Sequence, residues 1–232
     1  MQPIVVGIQV SPPRQLGTSG AEHVFDRQWT TGIFKEPVHG PVRARRSNLD
    51  GDGQADLKNH GGYDKAVYVY PAAHYPFWRQ ELERDDMPYG GFGENLTVSV
   101  LDEQSVCLGD IYTLGTARFE VSHPRQPCWK LARKWRIKDL SALVHTTGRT
   151  GWYFRVLEEG VVEAGQPLIL AERPCPEWSI ARAHDIMGHR RHDREASAAL
   201  AAVPALAENW RQTLLKRSAG LDTPDATSWL YN

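Results

Sequence analysis

One change of pattern constrains this chain more than any other, and it falls at Pro174-Cys175-Pro176. From Pro3 to about Glu172, short β-rich runs are broken by Gly, Pro and Asp, the pattern of a compact sheet or barrel. Beyond it, Ala, Arg, Leu and His recur with helical spacing and no strand signal. Candidate strands are Ile4–Val10, Trp29–Phe34, Pro41–Arg46, Ala66–Tyr70, Leu96–Val100, Ile111–Leu114, Ala117–Ser122, Trp152–Leu157 and Leu168–Leu170. Two helices are expected among them, Ala72–Arg84 after Pro71 and Cys128–Trp135 after Pro127. Three more follow the boundary, at Ser179–Met187, Asp193–Val203 and Leu206–Arg217. Each is too short to be stable alone, so they must pack together or onto the barrel.

Charge and cysteine content exclude several function classes. With 27 Lys+Arg against 28 Asp+Glu the net charge is -1, which lacks the basic surplus of a nucleic-acid binder. No apolar run approaches the roughly 20 residues that span a bilayer, and no signal peptide opens the chain, so a cytoplasmic location is expected. Cys107, Cys128 and Cys175 form no CxxC pair, which rules out a disulfide framework and a four-cysteine zinc site.

Three motif-like segments fail inspection. Asp50 to Asp56 resembles the opening of an EF-hand, but position six is Ala55 and position twelve is Gly61. His189 and His192 lack a third ligand, and Gly90-Gly91-Phe92-Gly93 lacks the Lys and Ser/Thr of a P-loop. The stretch from Ser122 to Leu131 carries more. Cys128 follows Pro127 at a helix start between Arg125 and Lys130, where the dipole and two cations favour a thiolate. A buried cysteine filling a barrel corner is the competing reading. The clusters His60 to Lys65 and Gly93 to Leu96 place paired glycines or Gly-Glu-Asn between strands, as in loops that approach a ligand closely.

Taken together, His60-Gly61-Gly62-Tyr63-Asp64-Lys65-Ala66-Val67-Tyr68, Phe92-Gly93-Glu94-Asn95-Leu96, Pro124-Arg125-Gln126-Pro127-Cys128 with Lys130-Leu131, and Thr147 to Trp152 resemble the YiiM branch of the MOSC superfamily, in order and in spacing. The likeness runs on into the helical segment with Trp210 and Lys216-Arg217. It implies a mainly β fold with α: a MOSC-type β-barrel over residues 1–175, a small three-helix domain over 176–218 and a tail over 219–232. It also implies that the molybdenum cofactor, a phosphorylated pterin dithiolene that purified protein readily loses, is bound with Cys128 as metal ligand. The activity implied is reduction of N-hydroxylated compounds such as N-hydroxylated purine bases.

Within that resemblance Lys35, Arg125 and Lys130 are expected to hold the cofactor phosphate and pterin. Asp64, Lys65 and Asn95 are expected beside it, and His60 and Glu94 to deliver protons. His123 stands where relatives commonly carry Gln. The chain has no cysteine cluster, dinucleotide fingerprint or haem motif, so a separate electron-donating reductase is expected to dock near the His60–Lys65 and Gly90–Asn95 loops or on the helical domain. Two rival functions remain: a carrier of the cofactor or its sulfur without turnover, and a cysteine hydrolase using Cys128 with His123 or His60.

Overall fold

The computed structural model describes residues 1–221, 223 and 227–231. Its strands are β1 (Val5–Val10), β2 (Arg14–Leu16), β3 (Trp29–Thr31), β4 (Glu36–Pro37), β5 (Val42–Ala44), β6 (Val67–Pro71), β7 (Leu96–Val98), β8 (Ile111–Leu114), β9 (Ala117–Pro124), β10 (Trp152–Glu158), β11 (Gly160–Val162) and β12 (Ile169–Glu172). Its helices are α1 (Leu57–His60), α2 (His74–Glu81), α3 (Trp129–Trp135), α4 (Leu140–Thr147), α5 (Ile180–Gly188), α6 (Arg194–Ala201), α7 (Glu208–Ser218) and α8 (Thr227–Leu230). Among the described residues no helix is long and apolar enough to cross a membrane.

Eight strands make one curled sheet in the order β12-β8-β9-β10-β6-β7-β1-β4. All neighbours are antiparallel except β6 and β7, whose parallel pairing is bridged by a crossover carrying α2. The sheet curls until β1 meets the segment leading into the edge strand β12: Val5 N–H donates to Gln166 O at 3.0 Å and Leu168 N–H to Pro3 O at 2.9 Å. Gly165 makes the turn there at φ +90°, a conformation only glycine adopts cheaply. The ribbons β2·β3 and β5·β11 flank the barrel.

Strand β6 shows how the sequence builds the core. All five of its residues are buried, and their alternation separates two apolar clusters. Val67 and Val69 face the barrel interior with Leu96, Val121 and Trp152, whereas Tyr68 and Tyr70 face a cluster with Tyr75, Trp78, Phe92, Leu131 and Val144. Each such side chain taken from water contributes roughly 1.5–3 kcal/mol. The interior cluster continues without a break into the helical segment, through Trp178, Ile180, Ala183, Leu206, Trp210 and Leu214.

The three helices after the boundary lie within about two residues of their expected limits, the usual slack at helix ends. Capping explains two starts: Ser179 accepts from Arg182 N–H and Asp193 from Ala196 N–H. Helices α1 and α4 are additions that periodicity did not disclose. Helix α1 has only four residues, too few for a repeat, and α4 is held by tertiary burial of Leu140 and Val144 against the tyrosine cluster. Of the expected tail, Thr227–Leu230 form α8, while residues 222, 224–226 and 232 lie outside the described residues.

Candidate active site

Cys128 is the N-cap of α3, held in extended backbone at φ −128°, ψ 166° by the preceding proline-rich turn. Its Sγ lies 3.4 Å from Nε2 of His60, the last residue of α1. Asp56 starts that helix by accepting from Asn59 N–H, and its Oδ2 stands 3.5 Å from His60 Nδ1. Carboxylate, imidazole and thiol thus form a line. Burial pushes the Cys128 thiol up, but the hydrogen bond and charge of His60, the nearby Arg125 and the Lys130 backbone N–H outweigh it, bringing the pKa to about 7. Lys130 acts here through its backbone rather than its ammonium, whose Nζ donates to Thr30 O at 3.2 Å.

Cys107 and Cys175 go the other way, raised above the ordinary thiol value first by burial and then by neighbouring carboxylates. Iodoacetamide labelling of metal-free protein, read by mass spectrometry, is therefore expected to modify Cys128 first. The rate should climb as pH rises through about 7, where the thiolate forms. Equal labelling of all three cysteines at pH 7 would contradict this environment.

The thiol sits where two lobes of one cleft meet. The inner lobe, with about 610 Å³ of empty space, lies between the barrel end and the Asp52–Asp56 loop, and Lys35, His60, Lys65, Asn95, Arg125, Cys128 and Lys130 all line it. The outer lobe, about 2110 Å³, shares His60, Lys65, Cys128 and Lys130 and extends to α7. Arg125 is 5% exposed, its guanidinium 5.0 Å from the Tyr68 ring, and its buried Nη1 has no partner. Among the described residues no carboxylate lies within ion-pair reach of Lys65, Arg125, Lys130 or Arg133. The cleft is therefore electropositive.

Not every expected residue serves the cleft directly. The charge of Lys35 is committed to buried Asp52, and burial lowers its pKa. Asn95 has no free amide group: Oδ1 accepts from Tyr68 N–H, and Nδ2 donates to Gln9 O and Asp52 Oδ2. It positions Asp52. Two residues fall outside the cleft lining. Asp64 turns toward the helices, accepting from Arg155 Nε at 2.6 Å and from Glu208 N–H at 3.2 Å. Glu94, fully buried, accepts from Gly90 N–H, Phe92 N–H, Thr97 Oγ1 and Tyr75 Oη, so it ties the glycine loop to β7 and α2. Gly90–Phe92 is buried as well. Conversely, Asp52 and Asp56 belong to the site, and their signal was the Asp/Gly loop that fails as a calcium motif.

The family model of the MOSC domain matches residues 56–169, and that of the YiiM-like, 3-alpha helix domain matches residues 178–220. The chain is 44% identical over 213 residues to the uncharacterized protein YflK of Bacillus subtilis, covering 92% of this chain and 93% of that one. It is 38% identical over 164 residues to a protein of Gibberella moniliformis named a reductase, covering 69% of this chain and 29% of that protein. The crystal structure of YiiM from Geobacillus stearothermophilus superposes with a TM-score of 0.78 at 40% identity, covering 93% of this chain and 99% of that one. Barrel, helical appendage and sequence agree, and the chain belongs to the YiiM family of MOSC-domain proteins.

Proposed function

We propose that this chain is a molybdenum-cofactor-dependent reductase of N-hydroxylated compounds, with N-hydroxylated purine bases as the representative substrates. One observation carries the reading: a thiol poised to ionise near pH 7 opens onto a cleft in which Lys65, Arg125 and Lys130 have no carboxylate partner among the described residues. Among the described residues no group of three or more His, Cys, Asp or Glu side chains could hold a metal ion. A metal here has to bring most of its own ligands, as a dithiolene cofactor does. The soft thiolate of Cys128 suits such a centre, and the partnerless Nη1 of Arg125 with the cations of Lys65 and Lys130 suits its phosphate.

When bound, the cofactor supplies two-electron oxygen-atom transfer at molybdenum. The chain does the rest. Cys128 holds the metal; Arg125, Lys65 and Lys130 balance the anionic charge; and Asn95 with Lys35 fixes Asp52 in the inner wall. His60 faces the thiol with Nε2 and Asp56 with Nδ1, which places a group able to move a proton beside Cys128. Electrons come from a separate reductase, and the reductase of Gibberella moniliformis, of which the matched segment is only 29%, is in keeping with that division.

Molybdenum content, pterin fluorescence after oxidation and viologen-driven turnover of protein from a cofactor-competent host test the proposal, and NAD(P)H alone should drive nothing. Arg125→Glu is expected to lower molybdenum content severalfold with little effect on the melting of the metal-free form; equal content would reduce Arg125 to a packing residue. The Asp56–His60–Cys128 line also fits a cysteine hydrolase. Hydrolysis of an activated ester by molybdenum-free protein, lost in Cys128→Ala, would favour that second reading.

A further inference from the structure

The outer lobe has a feature that the chemistry at Cys128 leaves unused. His123 lines it, 1% exposed, stacked on Tyr153 at 5.1 Å and 24° and met edge-on by Trp210 at 5.6 Å. Its neighbour fixes which ring nitrogen carries the proton. Ser122 Oγ lies 2.6 Å from Asp64 O, 3.2 Å from Tyr153 O and 2.9 Å from His123 Nδ1. A hydroxyl has one proton and a carbonyl can only accept, so two oxygens 2.6 Å apart need that proton between them. Ser122 Oγ must then accept from Nδ1–H.

This leaves Nε2 as a bare lone pair, and among the described residues no donor reaches it. Burial, with Lys65 and Arg155 near, holds the imidazole well below the ordinary histidine range, so it stays neutral at pH 7. Nε2 is not sealed off, and with His123 lining the lobe a ligand there can supply the donor. Tyr153 and Trp210, which pack on His123, also line the lobe and offer aromatic surface to a flat ligand.

We propose that the outer lobe is the substrate subsite, and that His123 Nε2 selects a planar heteroaromatic base by accepting a hydrogen bond from a ring N–H. The subsite rests on the reductase reading for the N–OH end of the molecule, which turns toward Cys128. It adds a preference of its own, for the free base over forms alkylated or ribosylated at that nitrogen.

Calorimetric binding to the full-length protein from a cofactor-competent host, with no electron donor present, tests this with 6-hydroxylaminopurine and its 9-methyl derivative. Wild type is expected to bind the free base about tenfold more tightly. His123→Gln keeps the preference because its carbonyl accepts, while His123→Phe keeps the stacking and binds both forms equally. Equal affinities in wild type, or an undiminished preference in His123→Phe, overturn the subsite, and the wild-type comparison decides alone if His123→Phe fails to fold. Selective binding without viologen-driven turnover counts against the reductase reading and supports the subsite; turnover without selectivity overturns only the subsite.

Discussion

Cys128→Ser is expected to lose molybdenum and reductase turnover together, by more than about a hundredfold, since even the residues behind a metal ligand are worth 10–100-fold. Serine is a hard ligand that stays protonated where the Cys128 thiol ionises at about 7. The fold should survive, because Cys128 is only half-buried and, among the described residues, its sulfur's one side-chain hydrogen bond is to His60. Metal analysis, dye-driven turnover and a melting curve on one preparation separate the two effects, with Cys107→Ser and Cys175→Ser as near-silent controls. A metal-loaded Cys128→Ser protein that still turned over would end the ligand assignment.

Glu94→Ala should do the opposite, damaging the fold before the chemistry. It leaves Gly90 N–H, Phe92 N–H, Thr97 Oγ1 and Tyr75 Oη without their shared acceptor in a site closed to water. Loss of a buried, multiply bonded carboxylate costs on the order of 3–5 kcal/mol. At about 2–4 °C per kcal/mol for a chain of this size, the melting temperature should fall by roughly 6–20 °C. Glu94→Gln, which keeps one acceptor oxygen, should lose less. Normal melting with abolished turnover in both variants would restore Glu94 as a proton donor.

These two residues also show what a sequence discloses. Cys128 was legible because its signals are local: Pro127 before it, a helix after it, cations on both sides. The partner that does most to ionise it, His60, is 68 positions away, and no spacing rule reaches that far. Glu94 sits in a site-like motif, yet its role depends on Tyr75 and on how the glycine loop folds back over it. Asp64 was misplaced similarly, since the strand that carries Arg155 decides where its carboxylate turns. The barrel and the helices were readable because alternation and helical period repeat within each element. α4 was not, because its stability comes from what it packs against.

The unbroken run of apolar side chains from the barrel into the helical segment has a mechanical meaning. A cleft between two loosely joined bodies can open and shut; one between parts that share a core is a fixed casting. The outer lobe lies on such a seam, where Arg155 also ties Asp64, Glu120 and the Ala205 carbonyl together. Entry is then set by the rim, by groups such as exposed Asn209 and half-buried Thr213 on α7. An engineer seeking bulkier substrates should recut that rim, because the shared core resists opening the cleft.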